Sequence, residues 1–169
     1  YPLEYRSRGV EVRWCDTRLG HNPALAGIKH MNRLEQILAR NEWRQDSIAE
    51  GLMLDSEGHV IEGTMTNLFI IRGGLLATPR LDLCGVAGVM RQLVMEGCAA
   101  LGWSVEEKRL RPVDVETADH LFLTNSVMGI WPVRRLGQRE YPIAPHIPEI
   151  AEWLMTTLQS ELAQIPLPT

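Results

Sequence analysis

Two lysines stand against fifteen arginines in these 169 residues, and one of them, Lys29, has neighbours suited to chemistry. It follows an apolar run, Ala24-Leu25-Ala26-Gly27-Ile28, and precedes a helix start. An amine held among apolar neighbours loses solvation in its charged form, so its pKa falls and a neutral nucleophile becomes available. A lysine that condenses with a carbonyl group needs that property. A lone lysine is nonetheless far more often a plain solvated side chain. Three further stretches carry chemically useful groups. Glu62 ends a strand-like segment just before Gly63, where a solvated carboxylate is the simpler reading. Gly85-Val86-Ala87-Gly88-Val89-Met90 leads straight into a helix, whose unpaired N–H groups favour anions. Thr124-Asn125-Ser126 follows a buried-type strand with hydroxyls and amides suited to a phosphate or a carboxylate.

The elements that must position these groups follow from periodicity. Val10 to Cys15 alternates and reads as a strand, with Asp16 to Pro23 as loop. Asn32 is placed to cap a helix, with Glu35 three residues on giving a capping-box pattern. Leu34, Ile37 and Leu38 then form an apolar stripe, and the helix fades near Trp43 to Asp46. Glu50–Asp55 and His59–Glu62 read as a hairpin around Ser56-Glu57-Gly58, and Leu68–Arg72 and Leu75–Thr78 as another around Gly73-Gly74. Met90, Leu93, Val94, Gly97, Cys98 and Leu101 line one helical face that Gly102 ends. Trp103–Lys108 reads as a strand, Pro112–Thr117 as a short helix, and Ala118–Thr124 as a strand. Ile130–Val133 follows as a strand in which Pro132 suggests an edge or a bulge. A last helix runs from Ile147 through Ile150, Leu154, Leu158 and Leu162, before a Pro166-Leu167-Pro168 tail. Hairpins plus about three helices, without β-α alternation, give an α+β class.

Composition narrows the partners. A net charge of −4 argues against a general nucleic-acid binder. No apolar run approaches membrane-spanning length. Cys15, Cys84 and Cys98 lack metal-like spacing and fit buried thiols in a reduced cytoplasm, and the five scattered histidines do not suggest a metal site.

Four motifs in order resemble a family. Gly27-Ile28-Lys29-His30-Met31-Asn32-Arg33-Leu34-Glu35 is similar to the cofactor-lysine segment of the aminodeoxychorismate lyases, fold-type IV enzymes that use pyridoxal 5′-phosphate. Glu62-Gly63-Thr64-Met65-Thr66-Asn67-Leu68-Phe69, Gly85–Arg91 and Thr124–Val133 follow in the family's order. The resemblance implies the larger, C-terminal pseudo-barrel domain of that architecture over residues 9–165, with 1–8 as an interdomain linker remnant and 166–169 as a tail. It implies Lys29 as the imine-forming and proton-moving amine and Glu62 as the partner of the pyridine nitrogen. Thr64 is a candidate hydroxyl donor near the cofactor, although a turn role is equally open. Gly88, Val89 and Met90 are the implied backbone donors to the phosphate, with Arg91 read as structural. Asn125 and Ser126 serve cofactor phosphate or substrate carboxylate. His30, Asn32 and Arg33 match the lyase-like segment but read as capping and packing residues.

The resemblance further implies a cytoplasmic homodimer acting on a small molecule, releasing pyruvate and forming 4-aminobenzoate, a folate precursor. The family's smaller N-terminal domain, which supplies an arginine to the phosphate and in the lyases a threonine near the leaving group, has no match here. The chain is therefore expected to be a fragment with weak or no activity by itself. Two other readings stand beside the lyase. One is a branched-chain or D-amino acid aminotransferase on the same scaffold; Leu34, near the place where branched-chain enzymes carry a tyrosine, leans modestly away from it. The other is a cofactor-free domain that only packs and dimerises, with Lys29 inert.

Overall fold

The structure, a computed structural model, describes residues 1–162, with side chains through 160. A one-turn helix, α1 (Tyr5–Arg8), leads into a long strand, β1 (Val10–Leu19). After α2 (Leu34–Arg40) come β2 (Ile48–Asp55), β3 (Val60–Gly63), β4 (Asn67–Arg72) and β5 (Leu75–Pro79). Then follow α3 (Val89–Ala100), β6 (Val105–Lys108), α4 (Pro112–Glu116), β7 (His120–Asn125), β8 (Gly129–Leu136), β9 (Arg139–Glu140) and α5 (Ile147–Leu162).

The strands form one sheet in the order β3-β2-β1-β8-β7-β4-β5-β6, with β9 pairing β8. β1 runs parallel to both its neighbours, and β5 is parallel to β6; the other pairs are antiparallel. The sheet curls until its ends meet. The N–H of Val60, on β3, donates at 2.8 Å to the carbonyl of Leu110, just beyond β6. This is the α+β pseudo-barrel that the resemblance implied.

Both faces of the central strands are buried, which explains their unbroken apolar runs. Along β4, Leu68 and Ile70 enter the barrel interior beside Leu121, Leu123, Trp131 and Val133. Phe69 and Ile71 point the opposite way, where Phe69 stacks on Phe122 with ring centroids 5.0 Å apart. That outer face is covered by α3 and α5 through Met90, Val94, Cys98, Ile150 and Leu154. Each such buried side chain contributes roughly 1.5–3 kcal/mol relative to exposure. The stripe expected on α3 therefore forms, and Gly97 lets Trp153 of α5 lie against the helix backbone. Gly73 and Gly74, both at positive φ (56° and 80°), make the tight β4–β5 turn.

The structure departs from the sequence reading in several places. β1 continues to Leu19, so Asp16–Leu19 is not loop. The β1–β2 ladder breaks between Trp14 and Arg18, and Glu42 accepts the N–H groups of Asp16 and Thr17 across the break, each at 2.8 Å. Asn32 caps nothing: α2 begins at Leu34 after Arg33, and Glu35 accepts from the N–H of Gly20 at 3.0 Å instead. That helix also ends at Arg40, short of Trp43. Its apolar stripe faces outward, with Leu34 60% and Ile37 56% exposed, while Gln36 and Ala39 are buried. Pro132 lies in an interior strand, opposite Phe122 of β7; β1 pairs with β8 only from Val133, beside a register shift. Residues 1–8 include α1, and Tyr1 and Tyr5 set their rings edge-on against Trp131. The Pro166–Pro168 tail lies outside the described residues.

Candidate active site

Glu62 sits at the end of β3 and is 2% exposed. Its Oε2 accepts the N–H of Val86 at 2.8 Å. Its Oε1 is buried without a hydrogen-bond partner. Burial pushes this acid up to about 7, against the pull of the Val86 N–H, the Arg33 guanidinium and the Gln36 amide. An acceptor left open in a dry interior costs free energy unless a ligand or water completes it. The solvated strand-end glutamate suggested by the local sequence is thus replaced by a half-satisfied interior acid.

The same Val86 ties the motifs together. Asn67, at the start of β4, donates its amide to the Val86 carbonyl at 2.7 Å. Gly27 pairs with Val86 in a parallel bridge: its N–H reaches the Gly85 carbonyl at 2.9 Å, and the Ala87 N–H reaches the Gly27 carbonyl at 3.0 Å. Lys29 follows two residues later. The lysine segment, the acid and the glycine loop, far apart in sequence, therefore meet at one end of the sheet. A polar hollow of about 230 Å³ opens beside them, lined by His21, His30, Arg33, Gln36 and Gly85 among others. His30 Nδ1 and Gln36 Oε1 are buried there without partners.

Lys29 itself is exposed, and so are Ala24 and Ile28. The apolar run does not enclose the amine, so the desolvation expected from sequence is absent from this chain. Gly88 is the residue before α3, and no acceptor among the described residues takes the N–H groups of Gly88, Val89 or Met90. These groups are the open donors of a helix start. A Cβ at Gly88 would run into Asn67 Oδ1, so the loop packs there only because residue 88 lacks a side chain.

Thr64 and Asn125 are committed inside the protein. The Thr64 hydroxyl donates to Glu50 Oε1 at 2.5 Å. Asn125 donates to the Met65 carbonyl at 3.1 Å and accepts the N–H groups of Val127 and Met128, both at 2.9 Å. Its side-chain amide thus shapes a turn. Ser126 is exposed at that turn. Thr124 pairs across the sheet with Asn67, which sets the turn beside the glycine loop, and its buried Oγ1 has no partner. Arg91 is structural, as expected: it is buried, bonded to the Pro79 carbonyl at 3.0 Å and to Glu107 at 2.6 Å.

Sequence reasoning missed three residues. Glu50, fully buried on β2, accepts from five donors: the N–H groups of Gly51, Thr64 and Met65 and the hydroxyls of Thr64 and Thr66. It thereby holds the turn that follows Glu62. A Cβ at Gly63 would sit 2.9 Å from this carboxylate, which is why a glycine stands there. Nothing local marks Glu50, an acid within a strand-like run. Asn67 and Arg33 lay inside motifs already noticed, but only their contacts reveal what they hold.

Comparison with known proteins accords with this arrangement. An aminodeoxychorismate lyase of Vibrio harveyi is 42% identical over 141 residues, covering 83% of this chain and 52% of that protein. A putative branched-chain-amino-acid aminotransferase of Methanocaldococcus jannaschii is 35% identical over 118 residues, covering 70% of this chain and 40% of its own length. The crystal structure of 4-amino-4-deoxychorismate lyase from Pseudomonas aeruginosa superposes with a TM-score of 0.88 at 42% identity, over 96% of this chain and 58% of that one. The chain spans about half the length of these relatives. The amino-transferase class IV family model matches residues 2–136, a span that holds the lysine segment, the buried acid and the glycine loop, and the chain belongs to that family.

Proposed function

We propose that the protein containing this chain is a pyridoxal 5′-phosphate-dependent 4-amino-4-deoxychorismate lyase. The observation that carries the reading is the unpartnered, buried Oε1 of Glu62, set on the loop that also anchors the lysine segment. The residues present fit the cofactor. Glu62 would hold the proton on the pyridine nitrogen, the open N–H groups at Gly88, Val89 and Met90 would hold the phosphate, and the exposed Lys29 is free to condense with the aldehyde. Pyridoxal 5′-phosphate, when bound, supplies an electron sink for the pair left at a deprotonated carbon.

The chain's own residues do the rest. Lys29 Nζ takes the proton from the substrate carbon bearing the amine, and pyruvate leaves as the ring becomes aromatic. Glu62 would keep the proton on the pyridine nitrogen. Glu50 does not touch the reaction; it sets the backbone from Gly63 to Thr66. Ser126 and the unpartnered Thr124 hydroxyl lie at the turn where a phosphate or a carboxylate would dock. A homodimer would cover the outward apolar ridge of Met31, Leu34, Ile37 and Leu38.

Borohydride reduction after incubation with pyridoxal 5′-phosphate, followed by peptide mass analysis, tests the cofactor. A phosphopyridoxyl group on Lys29 is expected; its absence, or its appearance only on Lys108, would overturn the reading. For the full-length protein, Lys29→Ala should lower 4-aminobenzoate formation at least about a hundredfold. The aminotransferase reading draws on the likeness to the branched-chain enzymes. Under that reading the loaded protein would pass its amino group to a keto acid, a change followed by absorbance.

A further inference from the structure

Arg33 touches neither the condensing amine nor the phosphate donors. It stands at the position before α2 but makes no capping bond with its side chain. Arginine is a poor cap, and a positive charge at a helix N-terminus opposes the helix dipole. The helix therefore gains nothing from it. Its side chain instead turns inward, and its Nη2 lies 3.7 Å from Glu62 Oε1. Among the described residues Arg33 pairs with no other acid.

The distance has a consequence. At 3.7 Å the guanidinium is near enough to favour the charged carboxylate, yet it does not consume the acceptor, since Oε1 has no hydrogen-bond partner. We propose that Arg33 is a positioning residue for Glu62: it eases ionisation of the carboxylate in the interior while leaving Oε1 open to a ring N–H. This deepens the cofactor reading and rests on it for the identity of the ring.

The other groups around Glu62 do not do this. The Val86 N–H is spent on Oε2 at 2.8 Å. Gln36 is neutral. Glu50, on β2, raises the acid further, and the nearby Cys84 is a buried neutral thiol. Arg33 is the cation that opposes burial among the groups acting on Glu62. It also lies four residues beyond Lys29 on the same segment, so a shift of that segment moves the condensing amine and the counter-ion of the acid together.

The test needs no bound cofactor. The titration of Glu62 is followed by carboxyl carbon NMR in the cofactor-free chain, with the signal assigned by its loss in Glu62→Gln. Arg33→Gln should raise the midpoint by about 1–2 units, while Arg33→Lys should restore it to within roughly half a unit. An unchanged midpoint in Arg33→Gln, or an equal rise in Arg33→Lys, would overturn the assignment. Where Arg33→Gln fails to fold by circular dichroism, Arg33→Met takes its place. If both neutral variants unfold, Arg33→Gln is repeated in the Glu62→Gln background: recovery of the fold there supports the assignment, and continued unfolding overturns it. A shifted midpoint with no cofactor on Lys29 would keep this assignment and remove the cofactor reading. An adduct on Lys29 with an unmoved midpoint would do the reverse.

Discussion

Glu50 and Glu62 are both buried acids on neighbouring strands, β2 and β3, yet they do different things. Glu50 is surrounded by donors: five N–H and O–H groups converge on its two oxygens. Glu62 has one backbone N–H, a cation that does not close on it, and an empty acceptor. Burial raises both acids. A saturated interior carboxylate organises the chain around itself and has nothing left to offer a ligand. A half-satisfied one costs stability in exchange for a vacancy, which is what a binding site requires.

The contrast can be broken experimentally. The largest effect should come from Glu50→Ala, which removes the shared acceptor of three N–H groups and two hydroxyls in the interior. A loss of about 4 kcal/mol in urea unfolding is expected, and a loss below about 1 kcal/mol would mean that the turn holds itself.

Glu62→Gln should act in the opposite direction. In the folded chain this acid titrates near 7, raised from 4.5 by burial. Between those values the unfolded chain gives up its proton while the folded one retains it, so folding is penalised increasingly as pH rises through the window. The variant should match the parent near pH 4 and exceed it by about 3 kcal/mol above pH 7, in the absence of cofactor. A pH-independent difference would refute the partly empty acceptor.

Smaller changes sharpen the same picture. Gly88→Ala places a methyl group against Asn67 and should cost about 1–2 kcal/mol, while weakening phosphate retention measured by equilibrium dialysis. Leu34→Ser, on the outward ridge, should change the stability of the isolated chain by less than about 0.5 kcal/mol. A core leucine such as Leu68 truncated to alanine should cost about 2–5 kcal/mol in the same assay.

Much of the architecture was legible because it rests on local physics. Gly73-Gly74 specifies its own turn, since this two-residue connection between twisted strands holds positive φ at both positions, which glycine adopts without strain. The α3 stripe is visible because the helix repeat brings Met90, Val94 and Cys98 to one side within three turns. The motif order identified the family for the same reason, as each motif is a contiguous run. The α2 stripe obeyed the same periodicity and still faced outward, because periodicity gives a direction around a helix and not what lies on that side.

What the residues determined alone was therefore the kind of element, the chemical types at the site and the family they resemble. Only the tertiary structure decided which polar atoms are satisfied. The curled sheet brings Val86 to Glu62, Thr64 and Thr66 to Glu50, and Arg33 to Glu62 across 29 positions of chain. Hydrogen-bond satisfaction is a property of such distant pairings, so no window of sequence could show that Thr64 and Asn125 were occupied, that Lys29 was exposed, or that one oxygen of Glu62 was left open.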